Sequence, residues 1–273
     1  MRLTLTFVGS DPLPVDARAL RPARLLKLSR ADLARQSVMV GGRTVRLGEL
    51  CRADRQASAG DGVVLAGATA RLSGLGAGMD GGRLLIDGDA GDSTGAGMSA
   101  GEIEILGSAG DCLGLGMQGG QMRVRGSAGD WCGAAAPGQR SGMGGGTILV
   151  GGDAGREAGA GMRRGLICVG GDAGECAGVR LLAGTLLIAG KAGAGAGLGM
   201  RRGSLVVGRL ERLLPGFLPA GPADDVWLRI YVRHLENLGM RLPKAWLKAA
   251  MPRFTGDSLE LGKGELIVHD LSE

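Results

Sequence analysis

From Gly82 to Val207 the apolar positions come in short blocks, each opened by a glycine and followed by Gly-x-Ala-Gly or a close variant. The block Gly82-Arg-Leu-Leu-Ile-Asp-Gly-Asp-Ala-Gly91 is matched by Gly101-Glu-Ile-Glu-Ile-Leu-Gly-Ser-Ala-Gly110. The frame restarts at Gly120, Gly146, Gly165, Gly184 and Gly203. Every interval is 19 residues except that from Gly120 to Gly146, which is 26, seven more. The surplus sits in Ala134-Ala-Ala-Pro-Gly-Gln-Arg140, which reads as a loop inserted in one repeat. An imperfect copy precedes the set and ends in Gly74-Leu-Gly-Ala-Gly-Met79.

Segments such as Thr147-Ile-Leu-Val150 and Leu166-Ile-Cys-Val169 are rich in β-branched and leucine side chains, so they predict strands. A 19-residue unit is too short for a strand–helix–strand unit of roughly 30 residues. It suits one coil of short strands joined by sharp corners, where glycine takes positive φ without a Cβ clash. Coils stacked about 4.8 Å apart place equivalent residues in ladders. Met79, Met98, Met117, Met143, Met162 and Met200 hold one phase, with Leu181 in the remaining repeat, and predict an inward apolar stack. The expected fold is an all-β-dominated right-handed parallel β-helix over residues 61–208, with a small α/β N-terminal part (1–60) and a helical C-terminal cap (209–273).

The flanks are expected to cover the open ends of the coil stack, whose unpaired edges invite further pairing. The N-terminal part shows a strand at Leu3–Val8, a helix after Ser29 with Asp32 at the capping-box position, and a hairpin turning at Gly41-Gly42. In the tail a helix is expected to start at Asp224 or Asp225 and to end at Gly239. Trp227, Ile230, Tyr231, His234 and Leu238 share one of its faces, and a shorter helix is expected from Pro243 to Met251. The tail collects most of the large aromatic side chains, as a docked cap would.

Composition sharpens this picture. Glycine occurs 55 times, aromatics make up 3% and hydrophobic residues 44%, so small residues must build the core. The net charge is +5, mostly arginine, with no basic run and no aromatic stacking set, which excludes a nucleic-acid binder. Five cysteines (Cys51, Cys112, Cys132, Cys168, Cys176) show no C-x-x-C spacing, and the four inside the repeats read as small hydrophobes. No stretch of about 18 apolar residues could span a membrane, and the opening residues lack a leader-like apolar region, so the expected compartment is the cytoplasm.

Local motifs carry little chemistry. Gly76-Ala-Gly-Met-Asp-Gly81 fits the dinucleotide fingerprint G-x-G-x-x-G, but near-copies recur along the repeats and no helix follows. Asp89, Asp153 and Asp172 hold one phase and Asp92, Asp111 and Asp130 another. Calcium-binding coils of this kind repeat every nine residues, so these aspartates are expected to bond their own turns. His234 and His269 assemble into no catalytic set, and His234 is expected to pack on the tail helix. The sharpest feature outside the core is the pairs Arg163-Arg164 and Arg201-Arg202, each directly after a Gly-x-Gly-Met motif and two repeats apart. They would face solvent, an acidic partner or a polyanionic ligand.

The glycine runs Gly74-Leu-Gly-Ala-Gly78 and Gly193-Ala-Gly-Ala-Gly-Leu-Gly199 closely resemble the GXGXG family, which includes the C-terminal domain of glutamate synthase and the GXGXG-bearing subunit of formylmethanofuran dehydrogenase. The resemblance covers roughly residues 60–208. Phe254-Thr-Gly-Asp-Ser-Leu-Glu-Leu-Gly-Lys-Gly-Glu-Leu-Ile-Val268 also resembles the ending of the latter subunit and favours that branch. The branch has an archaeal version, which reduces carbon dioxide, and a bacterial formyltransferase/hydrolase complex of methylotrophs. The latter passes a formyl group from tetrahydromethanopterin to methylofuran and releases formate. An arginine-, alanine- and glycine-rich, lysine-poor composition points to the bacterial version. The resemblance implies a non-catalytic subunit between the other subunits of a hetero-oligomer. It implies no cofactor bound by this chain, and a coenzyme with acidic, glutamate-derived groups. Two other classes stay open: a β-helix enzyme acting on polysaccharide, and an independent anion-binding module.

Overall fold

The computed structural model describes residues 2–8, 13–57, 62–223, 226–247 and 250–271. The fold is strand-dominated and β-helix-like, built on one large, mostly parallel sheet. Among the described residues that sheet has thirteen strands. From one edge it runs Cys51–Gln56, Arg2–Phe7, Gly62–Gly67, Asp80–Asp87, Ala100–Ile105, Gln121–Val124, Thr147–Val150, Leu166–Val169, Thr185–Ala192, Ser204–Leu210, Glu265–Leu271, Met251–Thr255 and Pro219–Ala223.

Pairing is parallel from Arg2–Phe7 through to Glu265–Leu271. Thr147 pairs with Leu166, Leu166 with Thr185 and Thr185 with Ser204, so one residue faces the equivalent residue of the next repeat. Gln121 pairs directly with Thr147, so the seven extra residues of that repeat leave the ladder as a loop. The chain departs after Ala134, whose carbonyl accepts from Gly116 N–H, and rejoins at Gly142, whose N–H donates to Gly161 O.

A second flank is a row of alanines. Ala90, Ala109, Ala128, Ala154, Ala173 and Ala192 form successive parallel bridges, one from each Gly-x-Ala-Gly or Lys-Ala-Gly segment. The methionine stack and Leu181 are buried with the inward residues Ile86, Ile105, Val124, Val150, Val169, Ile188 and Val207. Nearly aromatic-free repeats can pack this way because small corners bring the strands close enough for single aliphatic rows to fill the interior.

The aspartate expectation needs correction. Asp89 Oδ1 accepts from Ser108 N–H at 2.7 Å, and Asp92, Asp111, Asp130, Asp153 and Asp172 each accept from the backbone of the next repeat at 2.7–2.9 Å. They bond the neighbouring repeat rather than their own turn, because stacking puts an N–H within reach directly across. Ser108 and Ser127 serve the same row at 3.2 and 3.0 Å. Glycine is also not the sole corner residue. Ser93, Cys112, Trp131, Glu157 and Cys176 share one phase at φ between 56° and 61°, aligned with Gly74 and Gly195. Each donates its N–H across to the next repeat, as Cys112 does to Asp130 O at 2.8 Å, which offsets the strain of a left-handed side-chain-bearing residue.

The N-terminal expectations hold. Ser29 Oγ caps the helix Arg30–Arg35 by accepting from Asp32 N–H, and Ser37–Val40 and Arg43–Arg46 form the hairpin about Gly41 and Gly42 (φ 53° and 84°).

The tail departs from its expected helical form. It adds the parallel strand Glu265–Leu271 and two antiparallel strands, so strands finish the stack at this end. The strand Cys51–Gln56 is likewise antiparallel to Arg2–Phe7 at the other end. Within the helix expected at 243–251 the described residues form a 3-10 turn, Lys244–Leu247, and Met251 already belongs to a strand. The tail helix, Val226–Asn237, covers the outer side of the sheet. Its Leu228, Val232 and Leu235 pack with Trp246 on Leu149, Cys168, Leu187, Val206 and Ile267. Its expected start at Asp224 or Asp225 lies outside the described residues; it stops before Gly239 at φ 80°.

Candidate functional site

The outward side of the strands explains where the tail helix lands, and with it where the clefts form. Along one outward row the residues run Glu104, Arg123, Leu149, Cys168, Leu187, Val206 and Ile267. The early members are charged, and Glu104 joins an exposed ion-pair chain, Arg83–Glu104 at 3.8 Å and Arg125–Glu104 at 3.0 Å. The later members are apolar, and the helix seats on them.

The helix edge leaves a cleft of about 660 Å³ above the strand starts, lined by Thr147, Arg163, Arg164, Thr185, Ile230, Tyr231 and His234. Arg163 and Arg164 are exposed. The N–H of each donates to Met143 O, at 2.8 and 3.2 Å, so the turn that carries them is fixed to the preceding repeat. Tyr231 stands edge-on to Trp227, ring centroids 5.6 Å apart at 86°, which holds the ring in place.

The face expected to bear Trp227, Ile230, Tyr231, His234 and Leu238 is therefore divided: Trp227 and Leu238 pack partly against the helix contact, while Ile230, Tyr231 and His234 stay exposed. Ile230 is 60% exposed and His234 is exposed, whereas Leu228, Val232 and Leu235 are buried. His234 does not pack into the helix contact. Both stripes recur every three to four residues, and the sequence alone could not choose between them.

A second cleft, of about 480 Å³, is walled by the inserted loop. Trp131, Gln139, Arg140, Glu157, Arg180, Arg201 and Glu260 line it. Arg201 Nε is paired with Glu260 at 2.9 Å. Arg202 is exposed and lines neither cleft. The four arginines singled out in the sequence thus divide: Arg163 and Arg164 beside the tail helix, Arg201 beside the inserted loop. Trp131, Arg140 and Arg180 were missed, although the insertion that breaks the period was the available signal.

Reactive groups are committed elsewhere. Burial pushes the Cys132 and Cys168 thiols up to about 12 and that of Cys51 to about 11, so none is a nucleophile near neutrality. The ladder aspartates are engaged as acceptors of backbone N–H groups. Both clefts offer cations and aromatic edges, which is recognition chemistry for anionic or mixed surfaces. Among the described residues no group of three or more His, Cys, Asp and Glu could hold a metal, and no helix is long and apolar enough to cross a membrane.

No protein-family model matches the chain, and none of the curated proteins does. Among solved structures, a chain from the X-ray crystal structure of the formyltransferase/hydrolase complex of Methylorubrum extorquens, in complex with methylofuran, is similar to it. The two share 35% identity and a TM-score of 0.89, over 98% of this chain and 99% of that one.

Proposed function

This chain belongs to the family of formyltransferase/hydrolase complex subunits, and from that premise we propose that it is the complex's non-catalytic structural subunit, the one that carries the GXGXG repeat. It winds as a right-handed β-helix with 19-residue coils and holds the other subunits in the cytoplasm. The complex it serves uses tetrahydromethanopterin and methylofuran to carry formaldehyde-derived carbon to formate. The observation that carries the reading is a likeness running end to end through both chains at 35% identity. The ladder supports it: the aspartates in phase with Asp89 and Asp92, together with Ser108 and Ser127, are engaged in holding one repeat to the next.

The division 1–60, 61–208 and 209–273 belongs to the same proposal, with the last segment sharing its final strands with the coil stack. So do the pairs Arg163–Arg164 and Arg201–Arg202, as contacts for an acidic coenzyme tail or an acidic patch of a partner subunit. Several exposed guanidinium groups together retain a polyanion although each contributes only about 0.2–1 kcal/mol. Changing all four to glutamine is expected to weaken coenzyme retention or assembly, most at low ionic strength where screening is least. Unchanged affinity and complex mass at low salt would reduce them to a solvated face. The chain purified alone is expected to show no formyl transfer or hydrolysis; turnover by the isolated chain would end the structural reading.

A further inference from the structure

Beside the buried Leu228, Val232 and Leu235 and the partly buried Trp227 and Leu238, the tail helix carries apolar residues that stay exposed. Val226 and Ile230 lie one turn apart and are 62% and 60% exposed. Tyr231 is fixed edge-on by Trp227 and opens onto the cleft beside them. Two exposed arginines of the repeat turn, Arg163 and Arg164, line the cleft, and a third, the exposed Arg233, stands three residues on from Ile230 along the helix. None of the three makes an ion pair among the described residues. Glu236 is the helix's one carboxylate.

We infer that this cleft docks another subunit of the complex, through a segment that presents an apolar side chain flanked by carboxylates. The inference rests on the structural-subunit reading and names the surface by which it works. Charge complementarity selects the rim: unpaired guanidinium groups at a half-open edge steer and orient an acidic partner. The apolar centre selects a protein over a bare polyanion, because a string of carboxylates gains nothing from Ile230 and Val226, whereas a buried aliphatic or aromatic anchor does. Tyrosine and arginine around a desolvated centre are the residue types that dominate interface energetics. The ring of Tyr231 is already held, so little side-chain freedom is lost when the partner arrives.

The test is co-expression with the other subunits of the formyltransferase/hydrolase complex, comparing wild type with the double variant Ile230→Glu/Tyr231→Ala by native mass and by affinity. Both residues are exposed, so the melting temperature of the chain is expected to stay at the wild-type value while affinity for the complex falls about tenfold or more. If the double variant melts early, Ile230→Gln alone carries the same comparison. Wild-type assembly by the variants, beside normal assembly of the wild-type chain, overturns the docking site and leaves the structural reading standing. Failure of the wild-type chain itself to join the complex overturns both. Loss of methylofuran with intact assembly in Arg163→Gln/Arg164→Gln assigns the cleft to the coenzyme and overturns the docking site.

Discussion

Gly161 and Gly197 are left-handed corners of two different rows, Gly161 in phase with Arg180 and Gly199 and Gly197 in phase with Gly159 and Gly178, and they differ in what surrounds them. Both have positive φ, 63° and 72°. A Cβ on Gly161 would meet nothing closer than 3.5 Å, so only backbone strain opposes a side chain there. On Gly197 it would also stand 2.9 Å from Phe217 Cζ and 3.2 Å from Leu205 Cδ2. Gly161→Val is therefore expected to cost about 1–3 kcal/mol, and Gly197→Val more, with the melting temperatures in that order. Equal, unchanged temperatures would show that neither corner is strained. The thiols give a second handle at this scale. Cys132 and Cys168 ionise near 12 when folded, against 9.0 for an exposed thiol. Their folded pKa values are raised, so the stability they add is present below pH 9 and is lost as pH climbs from there towards 12. A thiol reagent at pH 8 is expected to reach them only after denaturant is added; prompt labelling of Cys132 or Cys168 in the native chain, resolved by peptide mass from the half-buried Cys112 and Cys176, would contradict their burial. The methionine stack was legible from phase alone, since a fixed period puts equivalent residues in one row. The left-handed Ser93, Cys112, Trp131, Glu157 and Cys176 were not, because no residue type marks that row and the compensating hydrogen bond comes from a neighbouring repeat.

The tail helix shows how far an element can be read from its own residues. Its stop before Gly239 followed from local signals, while its expected start at Asp224 or Asp225 lies outside the described residues. Its seating did not, since Trp227, Ile230 and Tyr231 form as good a stripe as Leu228, Val232 and Leu235. The deciding information lies in the strands, whose outward row changes from Glu104 and Arg123 to Leu149, Cys168, Leu187 and Val206; reading that row against the helix would have placed it. The strand Glu265–Leu271 escaped for a related reason: Gly264 opens it in register with Gly203, but 61 residues further on rather than 19, and no Gly-x-Ala-Gly follows it. Leu235 is fully buried in this contact, so Leu235→Ala is expected to destabilise by about 2–5 kcal/mol and to raise hydrogen exchange in Leu166–Val169 and Thr185–Ala192 where the helix covers them. A loss confined to the helix, with no change in those strands, would mean the helix does not protect the sheet.

At the scale of the whole molecule, the fold is a stack whose repeats each contact mainly their neighbours, ended on both sides by antiparallel strands rather than left open. Pro219 and Pro222 on the last strand remove donors from that edge and discourage end-to-end growth. Such a body offers long flanks to several partners at once, and the two clefts described above are chemically distinct: one beside the tail helix, mixed apolar and cationic, one beside the inserted loop, with Arg140, Arg180 and the Arg201–Glu260 pair around Trp131. The candidate arginines were visible in the sequence, but their division between two clefts was not, because it depends on the tail helix and the inserted loop, which fall outside the repeat. The most direct measurement is the native mass of the co-expressed formyltransferase/hydrolase complex with and without this chain. The structural-subunit account predicts one stoichiometric assembly when the chain is present and dissociated subcomplexes when it is omitted. A full-mass, active assembly of the remaining subunits without it would contradict the account.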